Sequence, residues 1–158
     1  MMQGKPVRNS LVEMIQIVRP EDANPLGIAF GGKVVAWMDM AAAISAMRHA
    51  RIPCVTASID SLSFLSPIHI GEFAIIRAQV NYTGKTSMEV GVTIDVEDPL
   101  TGIRKRTTSG YLTFVALGQN GHPVQIAPII PETPEEQRMY EEARRRREEK
   151  LKRRGESI

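Results

Sequence analysis

The chain has 158 residues, 42% of them hydrophobic and 24% charged, which describes one globular domain and excludes a disordered segment. No run is long and apolar enough to span a bilayer, so no membrane partner is expected. Residues 1–133 carry 11 basic and 11 acidic side chains, and the whole net charge of +2 sits in residues 134–158; a neutral body argues against nucleic acid as a partner.

The first nine residues are polar and lack the apolar core of a secretory leader. Ser10–Val18 is rich in β-formers and is stopped by Pro20. Glu21–Phe30 holds Asn-Pro and Gly and reads as a loop. Gly31-Gly32 opens a long helix that runs to about His49. From Cys54 the apolar period changes to two. Strands are expected at Cys54–Phe64, Glu72–Thr83, Thr86–Glu97 and Ile103–Leu117. In the third of these, Met88, Val90, Val92, Ile94 and Val96 face one way. Asp98-Pro99-Leu100-Thr101-Gly102 is a hairpin turn. Short turns imply antiparallel neighbours, so the expected fold class is α+β: one five-stranded antiparallel sheet with a long helix. A domain over residues 1–133 is followed by a charged helical tail over 134–158. There Thr133, Pro134 and Glu136 form a capping box. The tail helix is nearly all polar, with Met139, Tyr140, Ala143 and Leu151 as its only plausible contacts, and is expected to pack weakly or against a partner chain.

Val34–Met47 contains only two residues, Asp39 and Ser45, that are not apolar. A helix apolar on all sides must be covered on all sides. One sheet covers one flank, and a second copy of the chain is the economical cover for the other, so a homodimer is expected. Asp39 then stands out, because a carboxylate within a buried helix is costly unless paired or solvated. It is a candidate site residue or a structural aspartate bonded to backbone. Gly31 and Gly32 lie at the helix mouth, where free amides can receive a carbonyl oxygen that gains negative charge. Asn24, just upstream, either positions a water or carbonyl or simply shapes the turn. Gly32 and Asp39 share a helix face but are separated by ~10 Å of rise, too far to act on one carbon from within one chain. If both are catalytic, Asp39 works with Asn24 and Gly32 of a second copy.

Asn24-x-x-Gly27-x-x-Phe30-Gly31-Gly32 followed by Trp37-Met38-Asp39-x-Ala41-Ala42 resembles the acyl-CoA thioesterase (acyl-CoA hydrolase) family of the hotdog fold. Thr56-Ala57-Ser58-Ile59-Asp60, Phe64-Leu65-Ser66-Pro67, Thr83-Gly84-Lys85-Thr86-Ser87-Met88 and Tyr111-Leu112-Thr113-Phe114 continue the likeness, which covers about residues 10 to 145. The resemblance implies a long helix wrapped by the sheet, dimers with two sheets side by side, and often trimers of dimers. It also implies hydrolysis of acyl-CoA to a free acid and CoA, without metal or organic cofactor. By the same resemblance Asp39 is general base or nucleophile, Asn24 of the opposing subunit orients water or substrate, and the Gly31 and Gly32 amides polarise the thioester carbonyl. The turn Gly84-Lys85-Thr86-Ser87 would hold the nucleotide end of CoA, its amides, hydroxyls and ammonium suiting phosphate; otherwise it is a plain hairpin turn.

Other chemistries fit less well. Gly27–Val34 nearly matches a P-loop but lacks the hydroxyl that would hold magnesium, and no apolar strand leads into it. A hotdog dehydratase would need a histidine at the start of the long helix. His49, His69 and His122 are scattered, which also makes a zinc site unexpected. The single Cys54 excludes an internal disulfide and fits a reducing cytoplasm. A non-catalytic hotdog module binding acyl-CoA or nucleotide is the main alternative, but would have no need of both Asp39 and Asn24. Trp37 and Met38 either line an acyl channel or belong to the core.

Overall fold

The computed structural model describes residues 2–156. In chain order the elements are β1 (Lys5–Pro6), β2 (Val12–Ile17), α1 (Gly31–Ala50), β3 (Cys54–Phe64), β4 (Phe73–Thr83), β5 (Ser87–Glu97), β6 (Arg104–Ala116), β7 (Ile129–Ile130) and α2 (Pro134–Glu156). The main sheet is antiparallel with strand order β2-β4-β5-β6-β3. The short β1 and β7 pair in parallel beside it. The α+β class, the five strands and the long helix stand as the apolar patterning predicts.

Alternation places Met88, Val90, Val92, Ile94 and Val96 of β5 in the core, each almost fully buried. The Asp98–Gly102 turn closes as expected: Asp98 Oδ1 accepts N–H bonds from Leu100 and Thr101. Gly102 takes a left-handed φ of 74° that a side chain would oppose.

The sheet curls around one flank of α1. Val34, Trp37, Met38, Ala41, Ala42, Ser45, Ala46 and His49 form the buried face, recurring at the three- and four-residue steps of a helix. Trp37 and Met38 therefore belong to the core. Ser45 ties this face to the N-terminal segment by donating to the Ser10 carbonyl at 2.7 Å. The opposite flank is uncovered: Met40 is 49% exposed, and Ile44 and Met47 are also open. β3 lies at the sheet edge beside it and leaves Val55, Ile59 and Phe64 exposed. Two bulges interrupt its pairing with β6, between Thr56 and Ser58 and between Ile59 and Ser61.

The tail helix corrects one expectation. α2 packs on the outer face of its own sheet. Ala143 is fully buried, and the Tyr140 ring lies 5.0 Å from that of Tyr82. Arg146 grips Glu89 of β5 with two bonds of 3.0 and 2.8 Å and lies 3.7 Å over the Tyr111 ring. Lys150 donates to Asp60 and Ser58 of β3. An apolar stripe is not needed when paired charges and one cation–π contact anchor a helix. The capping box forms as predicted: Glu136 N–H donates to Thr133 Oγ1, and Thr133 N–H to Glu136 Oε1.

Candidate active site

The loop before α1 is shaped by Asn24. Its Oδ1 accepts N–H bonds from Leu26 at 3.0 Å and Ile28 at 3.2 Å, and its own N–H donates to the Ile28 carbonyl. Gly27 completes the turn with a φ of 78°. Asn24 thus spends its oxygen on the loop, and among the described residues nothing engages its Nδ2. Asn24 is both the turn former and a polar group with a free donor, so the two sequence readings are compatible.

That loop delivers the chain to the mouth of α1. Phe30 is the N-cap and supplies no side-chain cap. The bonds of the first turn are made by the N–H groups of Lys33 and Val34 to the Phe30 carbonyl, so the Gly31 and Gly32 amides have no partner among the described residues. Both glycines are exposed. A Cβ at Gly31 would meet nothing within 4 Å, which leaves open space for a ligand against the backbone. At Gly32 a Cβ would meet the Phe30 ring at 3.2 Å; two unpartnered amides at a helix N-terminus, the first of them open, form an electropositive receptor for oxygen.

Asp39 lies two turns along the same helix. It is half-buried rather than enclosed, because it sits at the border of the uncovered flank. Thr56 of β3 donates its hydroxyl to Asp39 Oδ1 at 2.7 Å. That contact fixes one carboxylate oxygen and leaves the other for chemistry. Thr56 was quoted in the sequence only as part of a motif. Its role needs the edge strand laid beside α1, a pairing between positions seventeen apart that periodicity does not reveal.

The turn at residues 84–87 lies on the other side of the sheet, under α2. The Gly84 N–H donates to the Ser87 carbonyl. Arg147 donates to Ser87 Oγ at 2.7 Å, and its guanidinium lies 3.2 Å from where a Gly84 Cβ would stand. Thr86 and Ser87 line a cavity of about 570 Å³ whose walls also carry Arg146, Arg147, Lys150 and Arg153. Lys85 is exposed and does not line it. Asp60, at the floor, is held below the ordinary carboxylate range. Burial pushes it up, but the hydrogen bonds from Lys150, Ser58 and Thr113 and the Lys150 charge outweigh that. The Asn24 loop leads into the Gly31-Gly32 mouth, Asp39 is set with Thr56, and residues 84–87 lie apart under α2.

Two other reactive side chains are inert by environment. Burial pushes the Cys54 thiol up to about 11, and it donates to the Ile52 carbonyl, so it is no nucleophile. His49 is fully buried at the far end of α1.

The thioesterase superfamily profile matches residues 26–103. The uncharacterized acyl-CoA thioester hydrolase YkhA of Bacillus subtilis is 39% identical over 150 residues, covering 95% of this chain and 87% of that protein. Among solved structures, an apo-hexameric acyl-CoA thioesterase superposes with a TM-score of 0.93 at 43% identity, covering 96% of this chain and 97% of that one. The acyl-CoA hydrolase of Staphylococcus aureus, in complex with butyryl coenzyme A, coenzyme A and coenzyme A disulfide, superposes with a TM-score of 0.90 at 39% identity, covering 97% and 93%. Structures of that S. aureus enzyme with an asparagine, an aspartate or a threonine replaced by alanine also match. With likeness at this level along nearly its whole length, the chain belongs to the acyl-CoA thioester hydrolases of the thioesterase superfamily, enzymes of the hotdog fold.

Proposed function

We propose that the chain hydrolyses acyl-CoA thioesters to a free carboxylic acid and CoA, at a site shared between two copies. The observation that carries this reading is the pairing of an uncapped, open Gly31-Gly32 mouth with a hydroxyl-oriented Asp39 that is too far along the same helix to reach it. The thioester carbonyl oxygen rests on the Gly31 and Gly32 amides of one copy. Asn24 Nδ2 of that copy positions the attacking water or the carbonyl. Asp39 of the other copy, one oxygen held by Thr56, takes the water proton as general base, or attacks the carbonyl carbon itself as nucleophile. Either way a tetrahedral oxyanion forms at the amide mouth. Its collapse breaks the C–S bond, and the electron pair leaves on the CoA sulfur, which takes up the proton released by water; on the nucleophile route a water then hydrolyses the acyl–Asp39 anhydride, freeing the acid and restoring the carboxylate. These residues call for no metal or organic cofactor.

The uncovered flank of α1 and the open edge of β3 support the homodimer, since together they expose Met40, Ile44, Met47, Val55 and Ile59. A trimer of dimers is the further assembly we assign, in line with the hexameric relative. In the S. aureus variants the replaced asparagine, aspartate and threonine stand fifteen and seventeen positions apart in order. Asn24, Asp39 and Thr56 have the same spacing, which supports these three as a working set. The cavity under α2 supports Thr86, Ser87 and the Gly84 backbone as the CoA nucleotide subsite, with Arg147 rather than Lys85 as its cation. The lone Cys54, which has no disulfide partner, suits a cytoplasmic enzyme.

The test is free-thiol release from a panel of acyl-CoAs of rising chain length by the wild-type protein and by Asp39→Ala. Turnover that depends on Asp39 is expected. Binding of acyl-CoA without turnover by the wild type would favour the non-catalytic module instead.

A further inference from the structure

Asp22 is the most buried carboxylate among the described residues, at 1% exposure, yet it lies in a surface loop and takes no part in the chemistry above. Its contacts explain the burial. Oδ2 accepts the Arg19 N–H at 2.9 Å, where the loop begins. The Lys33 ammonium lies 3.3 Å from Oδ1, an ion pair without hydrogen-bond alignment, so that Oδ1 has no hydrogen-bond partner among the described residues; the exposed Arg19 guanidinium stands farther off, 3.7 Å from Oδ2. Its backbone carbonyl accepts the N–H of Phe30, the residue just before Gly31. Asn24 is two positions further along the loop, and Lys33 is the residue after Gly32.

A buried charge is retained where its geometry specifies something an apolar side chain would not. Here it joins the two ends of one loop to the first turn of α1. The negative charge also sits at the positive end of that helix, where it is favoured. Lys33 keeps a side chain only 35% exposed in reaching it.

We infer that Asp22 and Lys33 are positioning residues, whose ion pair holds the Asn24 loop in register with the Gly31-Gly32 mouth so that three donors from one copy converge on one carbonyl. This rests on the proposed roles of Asn24 and the two amides. Both residues act through others and touch no substrate. Misplacing such donors by about 1 Å is enough to cost on the order of a hundredfold in rate.

The experiment compares Lys33→Met, Lys33→Arg, Asn24→Ala and the double variant Asn24→Ala/Lys33→Met in the full chain. It reads steady-state kinetics on one acyl-CoA, urea midpoints and oligomer size. Lys33→Met is expected to lower kcat by about tenfold to a hundredfold with KM within about threefold, while Lys33→Arg, which keeps a cation in reach, retains most of the activity. The double variant should fall little below Asn24→Ala alone, because one variant removes what the other misplaces. Wild-type kcat in Lys33→Met, an equal loss in Lys33→Arg, or losses that multiply in the double variant would each overturn the inference. Wild-type kcat in Asn24→Ala would instead overturn the proposed role of Asn24, and this inference with it. Asp22→Asn, which keeps shape and loses charge, provides the second arm and should match Lys33→Met.

Discussion

Thr56 donates its hydroxyl hydrogen to Asp39 Oδ1 across 2.7 Å, joining the edge strand to the long helix at the border of the uncovered flank. Only one carboxylate oxygen is engaged. A carboxylate oriented in this way presents a defined lone pair to whatever enters beside it. Replacing Thr56 by valine keeps the shape and removes the donor. A hydrogen bond to a charged group contributes about 1.5–3 kcal/mol, so kcat should fall roughly tenfold to a hundredfold with KM little changed. Thiol-release kinetics would decide this, and a kcat equal to wild type would separate Thr56 from the chemistry.

A site divided between copies can be restored by mixing. Asp39→Ala and Asn24→Ala chains should each be nearly inactive alone. A hybrid pair keeps one intact site, so mixing after subunit exchange should recover a measurable fraction of wild-type turnover. Exchange verified by mass spectrometry without any recovery would place Asp39 and Asn24 in the same site of the same chain.

His49 predicts how stability responds to pH. The ring is fully buried, its Nε2 lies 2.6 Å from the Ala127 carbonyl, and Nδ1 has no partner. Burial holds its pKa below the ordinary 6.5. The Ala127 carbonyl opposes that shift, and the Lys5 charge adds to it. The unfolded state therefore takes up a proton first as pH falls. The stability linked to neutral His49 is complete above pH 6.5 and is lost as pH falls from there through the depressed folded value, by up to about 1.4 kcal/mol per pH unit. Urea midpoints should drop over that window in the wild type and less in His49→Gln, which can still donate to Ala127. Parallel slopes in the two proteins would assign the acid sensitivity elsewhere.

Arg146 anchors α2 to the sheet through the buried Glu89. Arg146→Ala leaves that carboxylate without its cation, with only the Asn81 amide at 3.4 Å, and should cost about 2 kcal/mol or more, read as a lower urea midpoint. Arg147 instead reaches the Gly84–Ser87 turn. Arg147→Ala should leave the midpoint nearly unchanged and raise KM for acyl-CoA, an effect that grows weaker as salt is added. A KM unaffected by Arg147→Ala would remove the turn from the nucleotide subsite.

Much of this molecule was legible in one sequence because its local rules agree. The period-two run of β5, the Asp98–Gly102 turn and the Thr133–Glu136 box each carry a short-range signal, and β5, β6 and the start of α2 lie within one residue of where those signals put them. The Gly31-Gly32 mouth was equally readable, since a helix start is a local event. The hidden parts are all long-range. The docking of α2 depends on Glu89, Asp60 and Tyr111 arriving on one face of a finished sheet, and a polar helix gives no hint of that. Thr56 meets Asp39 only once β3 has become the edge strand, at the residue just before its first bulge. Asp22 looks like an ordinary loop aspartate until Lys33 folds back over it.

One rod, α1, carries an amide mouth at its start and an acid two turns on. With the shared site proposed above, every reaction centre in a pair of such rods would borrow from both, and no chain would own a centre outright. A chain crippled in both features would silence its healthy mate as well as itself. A gene copy encoding it would act as a dominant poison, whereas a copy crippled in one feature alone would spare half the centres of every mixed pair.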